Sequence, residues 1–312
     1  MKALVTGAAG FIGSTLSECL VDAGAAVTGI DCFTDYYPRE RKERNLARLR
    51  KAPGFTLVER ALSDADLPAL LDNVTHVFHL AAQPGVRKSW GRHFQIYTVN
   101  NVEATQILLE ACVGKPIERF VYASSSSIYG DEVSLPMRED ARPQPVSPYG
   151  VTKLAAEQLC YLYYVNHSVP TVAVRYFTVY GPRQRPDMGF SRFLSAAIRD
   201  EAVQMYGDGR QTRDFTFVAD AVSATLAAAT RGKAGGVYNI GGGSRVQLLD
   251  VFELIRQVTG RPLQIERLDP QRGDMRDTYA DTTRARADLA FAPTVTLEQG
   301  LRAQYDWMQK DA

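Results

Sequence analysis

Short, continuously apolar segments alternate with longer segments of helical period along the first two thirds of the chain. The short segments predict β-strands at residues 2–6, 26–30, 75–80, 117–123 and 171–176. The longer segments predict helices at residues 10–23, 92–112 and 149–166. Strands that are apolar throughout are typical of a parallel sheet covered by helices on both faces. This part of the chain is therefore predicted to be α/β, with a Rossmann-like doubly wound parallel sheet.

The pattern changes after Tyr180, where the run Gly-Pro-Arg-Gln-Arg-Pro at 181–186 interrupts regular structure. Beyond it the strand and helix patterns are shorter and less regular. We expect two units: a Rossmann domain and a smaller C-terminal substrate-binding lobe, with the ligand site in the cleft between them. The Rossmann domain is expected to comprise 1–178 with 217–261 returning to it, and the lobe 179–216 and 262–312.

Charge and cysteine content narrow the class of protein. The 312 residues include 36 Lys and Arg against 35 Asp and Glu, a net charge of +1, which provides no basic field for nucleic acid. The basic segment 39–51 contains acidic and apolar residues and is predicted as a solvated amphipathic helix. The four cysteines lie far apart, which argues against a disulfide scaffold or a metal site. No apolar run reaches the ~18 residues of a membrane span, and the N-terminus lacks a signal-peptide pattern, so we expect a cytoplasmic protein without a membrane partner.

A glycine-rich turn follows the first predicted strand. Gly7, Gly10 and Gly13 precede the first helix, whose unpaired N–H groups would face an incoming pyrophosphate. Asp31 stands at the end of the second strand, where a carboxylate can accept both hydroxyls of an adenosine ribose and repel a 2′-phosphate. The pattern favours NAD over NADP. The alternative is an ordinary strand–helix turn with a surface aspartate.

A second group of polar residues follows the strand predicted at 117–123. Four serines occupy 124–127, and Tyr149 and Lys153 lie four residues apart at the start of a predicted helix, so their side chains share one face. A tyrosine with a pKa of ~10 becomes a useful base at neutral pH if that pKa falls by ~3 units. The Lys153 ammonium, helped by an oxidised nicotinamide, is expected to cause that fall. His79 is given no catalytic role.

With these motifs the sequence resembles, over its whole length, the extended short-chain dehydrogenases/reductases of the nucleotide-sugar epimerase type. The segments 31–37, 175–182 and 185–188 are most similar to UDP-glucuronate 4-epimerases. The resemblance implies a catalytic set of Ser125, Tyr149 and Lys153. It also implies dimers formed by two long helices of each subunit, here 92–112 and 149–166.

The cofactor and substrate contacts expected from the motifs and from the resemblance form two sets. The expected NAD-binding residues are Gly7, Gly10, Phe11, Ile12, Gly13, Asp31, Leu80, Ala81, Ala82, Asn101, Tyr149, Lys153 and Tyr176. The expected residues for the UDP-sugar are Ser126, Ser127, Thr178, Arg185, Arg213, Arg272 and Asp274. Two positions depart from the family: an expected arginine is Gln271, with Arg272 next to it, and a position that some relatives fill with tyrosine is Thr278.

The predicted reaction is the NAD-dependent 4-epimerisation of UDP-glucuronate to UDP-galacturonate, through a 4-keto sugar that takes hydride back on its opposite face. Such an intermediate is a β-keto acid, so the enzyme must hold its carboxylate; Arg185 is the candidate, with Thr178 and Ser127. Ser126 and Ser127 stand where sugar 4,6-dehydratases need Asp and Glu, which argues against dehydration. Three alternatives remain: a 4-epimerase of UDP-glucose or UDP-N-acetylglucosamine, a UDP-glucuronate decarboxylase, and an NAD-binding sensor without catalysis.

Overall fold

The computed structural model describes residues 1–131 and 133–310 of the chain. The strands in these ranges are β1 (Lys2–Thr6), β2 (Ala26–Ile30), β3 (Phe55–Val58), β4 (His76–His79), β5 (Arg119–Ser125), β6 (Thr171–Tyr176), β7 (Val179–Tyr180), β8 (Val203–Tyr206), β9 (Thr212–Asp214), β10 (Thr216–Phe217), β11 (Val237–Ile240), β12 (Arg245–Gln247) and β13 (Ile265–Leu268). The helices are α1 (Phe11–Asp22), α2 (Arg39–Leu46), α3 (Leu67–Leu70), α4 (Phe94–Tyr97), α5 (Ala104–Cys112), α6 (Pro148–His167), α7 (Gly189–Arg199), α8 (Val218–Arg231), α9 (Leu248–Thr259), α10 (Thr283–Leu289) and α11 (Leu297–Lys310).

Seven parallel strands form the central sheet in the order β11-β6-β5-β4-β1-β2-β3. Adjacent residues of β1 enter different cores: Val5 packs in the cluster that includes residues of α1 and α8, and Leu4 in the cluster that includes residues of α5 and α6. The predicted Rossmann-like sheet is confirmed. The strand order reverses between β1 and β4, and a crevice at the carboxyl ends of strands is expected at such a point.

Two elements differ from the sequence prediction. The edge strand β3 was not predicted, because its residues are half-exposed and lack the continuous apolar pattern of the inner strands. The single helix predicted over 92–112 consists of α4, a π-helix at Thr98–Glu103 and α5. π-Helical turns occur mostly as single turns inside α-helices, and a search for helical period alone assigns the whole segment to one helix.

The C-terminal lobe combines α7, α9 and α11 around a separate apolar core. Three two-stranded sheets, β7 with β10, β8 with β13 and β9 with β12, lie outside the central sheet. The expected domain limits remain a prediction. Two helices, however, do not pack in the unit to which those limits assign them. Within 217–261, α8 and β11 join the central sheet's layers, whereas α9 packs on α7 and α11; within 262–312, α10 packs on α8 and β11. The apolar face of a helix does not specify which surface covers it.

The basic segment 39–51 forms α2 and one 3₁₀ turn, as predicted for an amphipathic helix. Three of its exposed arginines form ion pairs: Arg39 with Glu43 and Glu59, Arg48 with Asp22, and Arg50 with Glu43. No helix in the described ranges is long and apolar enough to cross a membrane.

Candidate active site

The glycine turn brings the backbone of β1 close to that of the loop after β4. Gly7 has a φ of +71°, and a Cβ at this position would lie 2.9 Å from the Ala81 nitrogen. A Cβ at Gly13 would collide with the Gly7 carbonyl. Helix α1 begins after Gly10 without a side-chain cap, so its first N–H groups are available to a ligand. This geometry fits the pyrophosphate of a dinucleotide.

A cavity at the carboxyl ends of the central strands brings together most of the predicted cofactor residues. Twelve of the predicted positions line it: Gly7, Gly10, Phe11, Ile12, Gly13, Asp31, Leu80, Ala81, Ala82, Tyr149, Lys153 and Tyr176. We refer to it as the cofactor cavity.

Asn101 is not among the residues that line the cofactor cavity, contrary to expectation. Its side chain is buried and holds the backbone of Gln83, accepting from the N–H at 2.6 Å and donating to the C=O at 3.1 Å. It also donates to the Thr152 hydroxyl on α6. Asn101 therefore shapes the cavity through Gln83, which does line it.

The Asp31 carboxylate is already bound by protein donors. It accepts from the N–H groups of Ala9 and Phe33, at 3.1 and 2.8 Å, and pairs with Lys42 Nζ at 3.2 Å. Both side chains of the pair are 7% exposed. Fewer lone pairs are left for ribose hydroxyls than the sequence suggested, and Lys42 lies beside them in the cavity wall. Lys42 was missed because it lies in a segment rich in solvated basic residues.

The catalytic candidates lie where β5 ends and α6 begins. Ser147 caps α6 by accepting from the Gly150 N–H at 3.1 Å, and Pro148 occupies the first helical position. This start places Tyr149 and Lys153 on the face directed at the cofactor cavity. The Ser125 side chain at the end of β5 is close enough to the Tyr149 phenol to lower its pKa. The three predicted catalytic residues therefore meet at one place.

The electrostatics differ from the sequence expectation. Burial raises the pKa of the Tyr149 phenol, while the Arg185 guanidinium and the hydrogen bond to Ser125 act to lower it. Burial lowers the pKa of the Lys153 amine to about 7. Lys153 lies with its Nζ 4.4 Å from the centroid of the Tyr122 ring. The charged group that acts to lower the pKa of Tyr149 is thus Arg185 rather than Lys153.

A second cavity, of about 710 Å³, adjoins the first, and Tyr36 lines both. Its wall contains five of the predicted substrate residues: Ser126, Ser127, Thr178, Arg213 and Asp274. It also contains three cationic residues that the sequence did not indicate: Arg87, Lys88 and Arg192. We refer to it as the substrate cavity. Its cationic wall suits a diphosphate.

Two predicted substrate residues lie elsewhere. Arg272 is exposed and lines neither cavity, so its role at the diphosphate stays a prediction without support from this geometry. Arg87 occupies the wall instead; its guanidinium donates to Asp274 at 2.6 Å and lies 4.1 Å from the centroid of the Tyr206 ring. Arg185 lies in the wall of the cofactor cavity, where it forms two hydrogen bonds with Asp187, at 3.1 and 3.2 Å. Sequence spacing could not reveal Arg87, because its partners are 119 or more residues away.

Arg213 uses its guanidinium on the backbone. It donates to the carbonyls of Thr212, Met275 and Arg276, which ties β9 to the segment that carries Asp274.

His79 is buried between the hydroxyls of Thr6 and Thr105, and burial lowers the pKa of its imidazole to about 3. A neutral, enclosed imidazole has a structural role. Across 1–131 and 133–310 there is no cluster of three or more His, Cys, Asp or Glu side chains suited to a metal ion.

Comparisons with known proteins agree with this geometry. The NAD dependent epimerase/dehydratase family matches residues 3–241. The chain belongs to this family. The predicted resemblance to extended short-chain dehydrogenases/reductases is therefore confirmed, and the family requires NAD.

Individual relatives cover almost the whole chain. A protein of Bacillus subtilis named as an uncharacterized UDP-glucose epimerase is 44% identical over 96% of each chain. A UDP-glucuronate 4-epimerase of Thermodesulfobacterium geofontis is 34% identical over 99% of this chain and 96% of its own. The crystal structure of UDP-glucuronic acid 4-epimerase from Bacillus cereus with UDP-glucuronic acid and NAD has 42% identity, a TM-score of 0.98 and full coverage of both chains.

Proposed function

We propose that this member of the epimerase/dehydratase family is an NAD-dependent UDP-sugar 4-epimerase that interconverts UDP-glucuronate and UDP-galacturonate. The observation that carries the proposal is the position of Tyr149 in the wall of the cofactor cavity, with Ser125 close enough to lower the pKa of its phenol. The next two residues, Ser126 and Ser127, line the substrate cavity. These positions support a proton-transferring role for Tyr149 between a dinucleotide site and a cationic site for a nucleotide diphosphate.

The protein residues divide the chemistry at C4 of the sugar. NAD, when bound, accepts a hydride from C4 and later returns it. Tyr149 takes the C4 hydroxyl proton and gives it back, and Ser125, which lies near the phenol, donates to the C4 oxygen and orients it. Arg185 and Ser125 both favour the phenolate form of Tyr149, which offsets part of the cost of its burial.

A uronate substrate requires a group that binds its carboxylate. Arg185, whose charge acts on Tyr149, binds the Asp187 carboxylate through Nε and Nη2, and this leaves the Nη1–Nη2 edge of the guanidinium to bind the carboxylate of the sugar. Thr178 and Ser127, in the wall of the substrate cavity, are the proposed hydroxyl donors. Holding the carboxylate prevents the breaking carbon–carbon bond from aligning with the ketone of the 4-keto sugar, and this favours epimerisation over decarboxylation.

The choice of sugar is the part that needs a direct test. Relatives whose names specify UDP-glucuronate support the uronate, whereas the Bacillus subtilis relative is named for UDP-glucose. We would incubate the protein with NAD and, separately, UDP-glucuronate, UDP-glucose and UDP-N-acetylglucosamine, and follow the anomeric protons by NMR. We expect UDP-galacturonate from the first and slower or no conversion of the others.

The other outcomes identify the alternatives. Turnover of neutral sugars alone would contradict the Arg185 assignment, and accumulation of a UDP-pentose would indicate a decarboxylase. Absence of turnover for all three sugars, with NAD still bound, would indicate a sensor. An Arg185→Lys variant keeps the charge but not the two parallel donors, so its activity should fall more on the uronate than on any neutral sugar.

We further propose a homodimer. Exposed apolar side chains lie on the long helices α4 to α5 and α6, which pack on each other: Phe94, Ile96, Val99, Val151, Leu162 and Val165. Such a surface supports association with a second copy of the chain. Light scattering should give twice the chain mass, and Leu162→Glu should halve it, whereas Ile265→Glu on the lobe should not. A monomeric wild-type protein would contradict the proposal.

A cytoplasmic location is also proposed. Its support is that Cys19, Cys32, Cys112 and Cys160 are all free thiols, which suits a reducing compartment. Fractionation of cells that express the full-length protein would test it.

A further inference from the structure

A buried ion pair lies beneath the catalytic helix. Arg175 of β6 binds Glu157 of α6 through two hydrogen bonds, Nη2 to Oε1 at 2.6 Å and Nε to Oε2 at 3.1 Å. The two side chains are 5% and 3% exposed. A buried pair of this kind often adds no more stability than apolar residues of similar volume. Stability alone therefore does not explain why this buried ion pair is present. The residues that surround the pair indicate a further role.

The pair belongs to a chain of hydrogen bonds between elements of the central sheet. Ser124, the residue before Ser125, donates its hydroxyl to Glu157 Oε2 at 2.5 Å. On the other side, Arg175 donates to the Tyr129 hydroxyl, which donates to Asn239 of β11, both at 2.7 Å. The chain therefore joins the serine-rich end of β5 to the helix that carries Tyr149 and Lys153.

Glu157 also lies one helical turn after Lys153, so the two side chains share a face of α6. The other titratable groups acting on or facing Lys153 come from three elements: His79 of β4, Tyr122 of β5, and Tyr149 and Cys160 of α6. Burial lowers the pKa of His79 to about 3 and raises the pKa values of Tyr122, Tyr149 and Cys160. These four groups are therefore neutral at pH 7. The negative charge on this side of Lys153 comes from Glu157.

We propose that Glu157 is a positioning residue for the epimerase reaction: it holds the end of β5 against α6 through Ser124 and keeps Lys153 in its ammonium form. It acts through Ser125 and Lys153 and does not touch the sugar. The proposal rests on the proposed function only in that Lys153 must be charged during turnover.

The direction of the expected pH effect follows from the surroundings of Lys153. Burial lowers the pKa of Lys153, and the Glu157 carboxylate acts in the opposite direction. Replacing the carboxylate of Glu157 with an amide removes the negative charge and leaves Arg175 as an additional positive one. The pKa of Lys153 then falls further, so the ammonium is lost at a lower pH and the alkaline limb of the kcat profile moves toward acid.

The test compares Glu157→Gln with Tyr129→Phe, which removes hydrogen bonds from the same buried chain on the side away from Lys153. We would measure kcat and KM from pH 6 to 10 with whichever UDP-sugar the wild type turns over. We expect Glu157→Gln to shift the alkaline limb down by about one pH unit and to lower kcat at pH 8 about tenfold, with little change in KM. Tyr129→Phe should leave that limb in place. Equal profiles for the two variants would overturn the proposal.

Two further arms keep the test independent of folding and of the substrate. If Glu157→Gln does not fold, the double variant Glu157→Gln/Arg175→Gln removes both buried charges and should show the same direction of shift. The pH dependence of Lys153 acetylation by acetic anhydride, read by peptide mass spectrometry on the full-length protein without sugar, reports the amine directly. An unshifted labelling curve in the folded variant would contradict the proposal even if no UDP-sugar were turned over.

Discussion

The two cavities are built in different ways. The cofactor cavity is formed by the carboxyl ends of consecutive parallel strands and by one glycine turn, so its main parts lie near one another in short motifs. The substrate cavity collects side chains from separate segments at 85–88, 126–127, 178–193, 204–215, 246–248 and 273–278. The cofactor cavity depends on backbone geometry, which the spacing of sequence motifs reveals. The substrate cavity depends on the tertiary packing of the lobe, which spacing along the chain does not reveal.

The largest effect is expected for Tyr149→Phe, because Tyr149 is the proposed proton-transferring residue between the two cavities. Loss of the proton-transferring hydroxyl should reduce kcat by about 10²- to 10⁴-fold, because general acid–base catalysis contributes that much. Thermal unfolding and NAD binding should change little. Tyr161→Phe, on an exposed face of the same helix, is the matched control and should retain activity. Substantial turnover by Tyr149→Phe would contradict the role of Tyr149 as the proton-transferring residue between the cavities.

The backbone origin of the cofactor cavity is tested by Gly7→Ala. The new Cβ would lie 2.9 Å from the Ala81 nitrogen at a residue with φ +71°, so we expect NAD affinity to fall at least tenfold, measured by calorimetry. Gly24→Ala is the control, because Gly24 also has a positive φ, +80°, but no atom within 4 Å of a Cβ. It should cost about 1 kcal/mol of stability and leave NAD affinity unchanged. Equal NAD affinities in the two variants would contradict the glycine assignment.

The tertiary origin of the substrate cavity is tested by replacing Arg87 and Arg272, one at a time, with methionine. Arg87→Met should raise KM for the UDP-sugar about tenfold, since a charge-assisted contact with the diphosphate contributes about 1.5–3 kcal/mol. Arg272→Met should leave KM within twofold, because Arg272 is exposed and outside both cavities. The reverse ranking in steady-state kinetics would restore the sequence-based assignment of Arg272.

The smallest expected effect concerns the enclosed imidazole beneath the cofactor cavity. Because burial lowers the folded-state pKa of His79 from 6.5 to about 3, the unfolded chain binds a proton first as the pH falls. The His79 contribution to stability is full above pH 6.5 and is lost progressively between 6.5 and 3. The urea midpoint should therefore fall from pH 7 to pH 5, and less steeply in His79→Gln. Parallel pH slopes in the two proteins would show that His79 is not the cause.

Much of the central sheet could be predicted from the sequence because its inner strands are apolar on both faces. Strand β6 has the predicted limits, whereas the half-exposed edge strand β3 lacked the pattern and was missed. Helix α9 has a clear apolar face, yet it packs on α7 and α11 instead of the sheet, because many surfaces can cover such a face.

The same distinction applies to single residues. Tyr149 and Lys153 were predicted because helical period is a local property, and the resemblance to the family singled out Ser125 among the four serines at the strand end. Lys42 and Arg87 were missed because each becomes part of a cavity only when distant segments meet, at Asp31 and Asp274 respectively.

The sequence alone therefore determined the sheet, the dinucleotide turn and the chemical identity of the serine, tyrosine and lysine, since these depend on hydrogen bonding and periodicity within a few residues. The tertiary structure decided which charges surround them. Only it shows Arg185 acting on Tyr149, Glu157 beside Lys153, and Arg87 in the wall where Arg272 was expected. Electrostatic effects depend on distance through space and on burial, and neither follows from separation along the chain.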